Sequence, residues 1–398
     1  MSTKTQEVEP QEAKSVVADA ADEDPTTASA HRFGPTATPR ARTAGLVAIA
    51  LAVAPLVLGD YGAGILALYL PLVILALSVD ILWGMNGVVS FGHAAFFTAG
   101  AYLAALIIGG PGDASAGTLN YLQEAPSGGS DRWARLFEAL SGVAPLGVPV
   151  LALLLPTVAI GAVGLLLGWV LFRLPQPEVY VPLMTLGLGV IMTTSLVGIP
   201  FLGASNGLSN IPALLADSPI AGGMGSGTSR YVANLVALLA VYAAYWFFRK
   251  SMAGKRWLAS GDEPLRLDSL GYRTQLIRAG GFAASVALAA LAGTMSVTTT
   301  GFVAPGQAAV GQSAMILIWV AVGRPGGFFG PLIGTLLIQV GSFLLSGILH
   351  NSWQLVLGLV LISVVVFGTR SSAWRARLRR LLPADRLVRL VPWETGRR

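Results

Sequence analysis

Cysteine is absent from this 398-residue chain, and charge is scarce: Asp, Glu, Lys and Arg together supply 12% of it. Without Cys there is no disulfide framework, no thiolate zinc site, no iron–sulfur ligation and no cysteine nucleophile. Soluble domains carry about a quarter of their residues as charges, so half that supply cannot clothe a soluble surface of this size. A hydrophobic share of 54% and a mean hydropathy of +0.67 exclude a wholly disordered chain as well. Histidine is limited to His31, His93 and His350. No His-Glu-x-x-His pair, no two carboxylates within one apolar stretch and no Gly-x-x-x-x-Gly-Lys-Ser/Thr phosphate loop occurs. The chain therefore reads as a non-enzyme with no cofactor of its own, and its net charge of +6 requires no nucleic acid.

What the sequence does have is apolar length. Of its 46 charged residues, 23 lie in the terminal pieces 1–43 and 370–398. Residues 279–323 and 325–369 are charge-free runs of 45 residues each, parted only by Arg324. A bilayer is crossed by about 20 apolar residues, so each run holds two spans, or one span and a re-entrant piece. The expected fold is an all-α polytopic membrane protein with spans near 44–59, 62–82, 88–109, 146–172, 179–198, 231–248, 279–300, 312–323, 327–347 and 353–369. The eighth is short enough for a broken or re-entrant helix, so the count is nine to ten. Placing Arg40, Arg42, Arg173, the Arg249–Arg278 stretch, Arg324 and the C-terminal arginines inside puts both termini in the cytoplasm of a cell-membrane protein. Residues 1–43 read as a disordered tail and not as a signal peptide. The basic, amphipathic piece 370–398 reads as an anchor on anionic lipid, with a partner-binding helix as the alternative.

Within the membrane the clear ionisable residue is Asp80, near the inner end of the second span, with His93 and Arg324 as softer cases. So few ionisable groups offer no relay for ion- or proton-driven transport. Gly203-Ala-Ser-Asn-Gly207 matches the serine-hydrolase elbow Gly-x-Ser-x-Gly. That motif needs a strand-to-helix turn and a later His, and only His350 follows. Loop 249–278 is a compact basic segment: Asp262 can cap a short helix, Pro264 suits its first turn and Gly271 its exit. It is either a lever for a cytoplasmic motor or an ordinary inner loop. Gly87–Phe96 and Gly301–Val310 agree at five of ten positions, a hint of an inverted repeat.

Several blocks resemble the permeases of ATP-binding-cassette importers for branched-chain amino acids and urea. Gly84, Gly87, Ser90, Gly92, His93, Phe96, Phe97, Gly100, Ala101 and Tyr102 match their Gly-x-x-Gly-x-x-Ser-x-Gly-His/Gln-x-x-Phe-Phe-x-x-Gly-Ala-Tyr block. Gly203–Leu208 is similar to their Gly-Gly-x-Asn-Gly-Leu segment, and the loop ending at Tyr272 with the Ala-rich run to Gly293 looks like their ATPase-coupling loop and following helix. Val320–Gly334 resembles their Gly-Gly-x-Gly-x-x-x-Gly-Pro-x-x-Gly block, with Arg324 in place of the second Gly.

The resemblance implies a passive pathway worked by two cytoplasmic ATP-binding subunits that use ATP and Mg, paired with a second homologous permease and loaded by an extracytoplasmic binding protein. It places Asp80, Ser90, Gly92, His93, Tyr102 and Asn206 at the pathway, with a helix-packing hydrogen bond as the other role for His93. It places Asp262, Glu263, Arg266, Asp268 and Gly271 at the ATPase. The expected cargo is a branched-chain amino acid. Urea or a short amide, favoured by Asp80, Trp83 and Ile318–Gly323, is the alternative. A stand-alone channel or facilitator for a small neutral solute, and a purely structural subunit, are the competing classes.

Overall fold

The computed structural model describes residues 41–108, 147–173, 180–199, 202–209, 211, 226–349 and 358–359. The tail before residue 41, most of the last expected span (353–369), His350 and the piece 370–398 lie outside the described residues. Helices carry the chain: α1 (Ala41–Asp80), α2 (His93–Ile108), α3 (Gly147–Arg173), α4 (Tyr180–Gly198), α5 (Ser226–Lys250), α6 (Met252–Asp262), α7 (Pro264–Ser269), α8 (Thr274–Thr300), α9 (Val310–Gly323) and α10 (Gly330–Leu349). Two two-residue strands, β1 (Leu208–Ser209) and β2 (Phe302–Val303), pair antiparallel, Leu208 opposite Val303. Among the described residues five helical stretches are long and apolar enough to cross a membrane: Ile49–Met85, Ala152–Arg173, Tyr180–Gly198, Ser226–Lys250 and Thr274–Thr300. The chain is an all-α, multi-pass membrane protein.

The first two expected spans form one unbroken run of helix on paper, α1, but Gly59 interrupts it with φ 66° and ψ −177°. Its hydrogen bonds show what the interruption does. Asp60 Oδ1 accepts from Thr228 N and Oγ1 at the start of α5 (2.8 and 2.9 Å), Tyr231 Oη donates to Leu51 O (2.7 Å), and Asn234 Nδ2 donates to Ala67 O (2.9 Å). In a straight helix Leu51 and Ala67 would stand roughly 24 Å apart, whereas Tyr231 and Asn234 are about 5 Å apart along α5. A tyrosine side chain cannot close that gap. The chain therefore reverses at Gly59, and both arms of α1 run beside α5. The arms, roughly 27 and 32 Å long, match the hydrocarbon thickness of a bilayer.

The third expected span, 88–109, is corrected. Helix begins only at His93, and Gly87–Gly92 is non-helical. Gly87 takes φ 69°, and the chain before it closes as a π-turn, Ile81–Met85. The short eighth span is the interrupted one: β2 and a 3-10 turn (Pro305–Ala308) precede α9, which has 14 residues. At the centre α8 packs on α1, α2 and α3. It approaches α2 closely because Gly100 lies on Ala290 and Gly293 on Phe97, where any side chain would meet backbone. Phe282, Val286, Ala289 and Ala292 of α8 join Leu70, Ile74 and Leu77 of α1 in the main apolar core.

Candidate functional site

The two half-length helices α2 and α9 begin in the same way. Gly87 (φ 69°) and Gly301 (φ 67°) each turn the chain out of a preceding helix, a non-helical lead-in follows, and a new helix starts at His93 or Val310. The lead-ins converge on α4. A Cβ added to Gly189 would lie 3.7 Å from both Phe91 O and Ala308 O, so both lead-in backbones come within contact of this one residue of α4. Thr185, one turn before Gly189, accepts from Phe91 N at 3.1 Å and donates its hydroxyl proton to Val181 O at 2.9 Å. Ser313 of α9 accepts from Ala94 N at 3.2 Å. Ser90 Oγ accepts from Gly92 N at 3.3 Å. The first N–H groups of a helix have no partner of their own. Here Ser90 of the lead-in and Ser313 of α9 meet two of them, while Thr185 of α4 holds the lead-in just before.

His93 is fully buried at the start of α2, and its Nε2 lies 2.6 Å from Ser285 Oγ of α8. Ser285 has one proton, which goes to Ser78 O of α1 at 2.6 Å. His93 Nε2 must then be the donor. Its Nδ1 has no hydrogen-bond partner among the described residues. The ring thus ties α2 to α8 and, through Ser285, to α1. Ser90, Gly92 and His93 are brought together.

Asp80 lies elsewhere, and Tyr102 and Asn206 are at the second lead-in, not beside His93. Tyr102 sits further along α2 in a second apolar cluster with Leu196, Ile211, Val297 and Val303, its hydroxyl buried and unpaired. Asn206 is exposed on a 3-10 turn (Ala204–Asn206) whose Gly207 packs on Val303 and Ala304, in the second lead-in. This turn leads out of α4 toward β1, the reverse of a strand-to-helix elbow, so Gly203–Gly207 lacks the geometry of a serine nucleophile.

Asp80 is buried at the end of α1, and its Oδ1 accepts from Gly326 N at 2.6 Å. Arg249, at the end of α5, donates from Nη1 to Gly326 O at 3.1 Å and to Tyr245 Oη at 3.2 Å. An acid and a base thereby hold both polar groups of one glycine in the turn between α9 and α10. Gly84 makes this possible by touching the Gly326 backbone directly. Arg324, in the same turn, has φ 69° and ψ 111°, a conformation that favours glycine.

The 249–278 loop holds two helices. Ser251, not Asp262, supplies a cap: its Oγ accepts from Gly254 N at the start of α6. Asp262 ends α6, and Glu263 occupies the N-cap position of α7 without a side-chain cap bond, so the expected cap is corrected. Pro264 begins α7, and Gly271 follows it with φ 84°, as expected. Glu263 and Arg266 form an exposed ion pair (3.0 Å), and Asp268 Oδ1 accepts from Thr274 N at the start of α8 (3.2 Å). Burial, then the neighbouring Glu263 carboxylate, pushes the Asp262 carboxyl above its usual range. Leu265 is 84% and Leu270 67% exposed, beside partly uncovered Tyr272 and Leu276.

Comparison with known proteins bears directly on this arrangement. The family described as "Branched-chain amino acid transport system / permease component" matches residues 62–366. The chain belongs to this permease family. It is 26% identical to the high-affinity branched-chain amino acid transport system permease protein LivM of Salmonella typhimurium and 25% identical to LivM of Escherichia coli, in each case over 74% of this chain. The match spans 65% of the length of either LivM, just under two thirds. The autoinducer 2 import system permease protein LsrC of Yersinia pseudotuberculosis is 30% identical over 52% of this chain and 57% of its own length. No solved structure matches the chain. In this permease, the block Gly84–Tyr102 builds the π-turn, the first lead-in and the start of α2, and Gly323–Gly334 builds the turn that Asp80 holds.

Sequence reasoning missed Thr185, Ser285, Ser313 and Gly326, the partners that organise the site. Thr185, Ser285 and Ser313 are small hydroxyl residues inside apolar runs, a signal too common among membrane helices to single them out.

Proposed function

We propose that the chain is a transmembrane permease subunit of an ATP-binding-cassette importer for branched-chain, hydrophobic amino acids, set in the inner membrane with both termini cytoplasmic. The observation that carries this reading is the alignment with LivM over 74% of the chain, against 52% for LsrC. The structure supports it. Two interrupted helices meet at α4, an arrangement that transporters use to bring backbone groups to a central site. The α6–α7 pair offers Leu265 and Leu270, exposed, to a partner at the opposite end of α8 from the second lead-in. The working assembly contains a second permease, two ATP-binding subunits and an extracytoplasmic binding protein.

Reconstitution of the chain with those subunits in vesicles tests the reading. ATP-dependent uptake of radiolabelled leucine, competed by isoleucine and valine, is expected. Passive flux through the chain alone would establish a channel instead. ATP-dependent uptake of urea without leucine uptake would move the substrate to short amides, and competition by autoinducer 2 would move it to the class named for LsrC.

A further inference from the structure

Asn86 stands where α1 gives way to the first lead-in. Its backbone N–H donates to Leu82 O and Trp83 O at the end of the π-turn. Its side chain is fully buried, yet neither Oδ1 nor Nδ2 has a hydrogen-bond partner among the described residues. Glycines from two other helices enclose it. Gly281 of α8 lies against the carboxamide, and Gly261 of α6 lies on the backbone of Met85 and Asn86, where an added Cβ would come within 2.9 Å of Asn86 C. Gly87, with φ 69°, faces Gly261 in turn. The last turn of α6 is fixed to α8, since Arg278 donates from Nε and Nη2 to Ser260 O at 3.1 and 2.8 Å. The opposite side of the π-turn is held where Gly84 meets Gly326, the residue bound by Asp80. The π-turn is thus gripped between α6 on one side and the α9–α10 turn on the other.

A buried carboxamide with both polar atoms unpaired destabilises the arrangement it is found in. A leucine would fill the same space without that cost. A π-turn holds one residue more than an α-turn. Tightening it advances the following chain by about 1.5 Å and turns it by about 100°. The non-helical Gly87–Gly92 lead-in can take up that change before α2.

We propose that Asn86 is the positioning residue that joins movement of the α6–α7 segment to the start of α2: its carboxamide gains its partners in a second arrangement of Ile81–Met85, which α6 imposes by pressing through Gly261. The proposal rests on the importer reading above.

The test uses the complete transporter in vesicles, with wild type, the apolar near-isostere Asn86→Leu and the polar control Asn86→Ser. Asn86→Leu raises the melting temperature of the purified chain, lowers ATP-dependent leucine uptake by roughly fivefold or more, and leaves ATP hydrolysis by the assembly within about twofold of wild type. Asn86→Ser, which keeps a donor and an acceptor, retains uptake within about threefold of wild type. Hydrogen–deuterium exchange over 81–92 changes on addition of ATP and vanadate in wild type and not in Asn86→Leu. A melting temperature that falls in Asn86→Leu, or leucine uptake equal to wild type, overturns the proposal. Wild-type vesicles that take up no leucine with ATP overturn the importer reading itself, which separates the two failures.

Discussion

Asp80 and Arg324 illustrate two uses of a polar residue in an apolar chain. Asp80 answers one backbone N–H, that of Gly326, in a setting where water cannot replace it. Replacing Asp80 by Ala removes this acceptor, at a cost of about 1–3 kcal/mol. Asn keeps a carbonyl oxygen in the same place. Thermal unfolding of the purified chain should therefore show Asp80→Ala clearly destabilised and Asp80→Asn close to wild type; equal losses would mean that the charge, not the hydrogen bond, is what matters. Arg324 makes the opposite case. Its φ of 69° is one that glycine adopts without strain. Arg324→Gly should stabilise the α9–α10 turn by about 1 kcal/mol, read as a higher melting temperature. A fall would show that the Arg324 side chain contributes more than its backbone costs.

At the scale of elements, the crossing of α2 and α8 depends on contacts that only two small residues allow. Gly100→Val pushes a β-carbon and its methyl groups onto the Ala290 backbone, which cannot give way as a side-chain tip would, and overpacking of this kind costs about 1–3 kcal/mol. Ser285→Ala attacks the same crossing chemically, by stranding the His93 Nε2–H in the interior, with a comparable loss. Unfolding of His93→Leu, Ser285→Ala and the double variant in detergent should show that Ser285→Ala costs much less once His93 is gone; strict additivity would dissolve the proposed pair. These crossings also mark where the sequence stops being readable. Apolar length gave the spans, and the reversal at Gly59 fell between the two expected ones. The start of α2 did not emerge, because Val88, Val89 and Phe91 read locally as membrane helix. What holds them extended is Thr185, 94 positions away, with Ser313 meeting the next free N–H from 219 positions away. The likeness of Gly87–Phe96 to Gly301–Val310 was the visible trace of the two lead-ins. The Asp262 cap failed for a related reason: Ser251 starts a helix that runs through Asp262, so the break falls at Glu263.

Over the whole molecule, the described part of the chain places its polar organisation in two zones. One lies where the lead-ins meet α4, closed by hydroxyls; the other lies where α1, α5, α6 and the α9–α10 turn meet, held by Asp80, Arg249 and Arg278. Under the proposed importer reading the first zone would line the route of the translocated molecule, and the second touches α6, through which the proposed ATP-binding partner would act. If the two zones are linked as proposed, a lesion on the outer face of α7 should disconnect the motor without disturbing the fold. Leu265, 84% exposed, makes no demand on the core, so Leu265→Asp leaves the melting temperature of the isolated chain unchanged. In the assembly the same change places a charge in an apolar contact. Removing such a contact residue costs about 2 kcal/mol or more where it anchors an interface, so co-purification of the ATP-binding subunit and ATP-driven leucine uptake should both fall by roughly tenfold or more. Glu263→Gln, which breaks only the exposed ion pair with Arg266, should do neither, because such pairs contribute at most about 1 kcal/mol. Retained co-purification with Leu265→Asp would place the partner contact elsewhere on the α6–α7 segment, and would leave Met252, Leu270 and Tyr272 as its remaining exposed apolar candidates there.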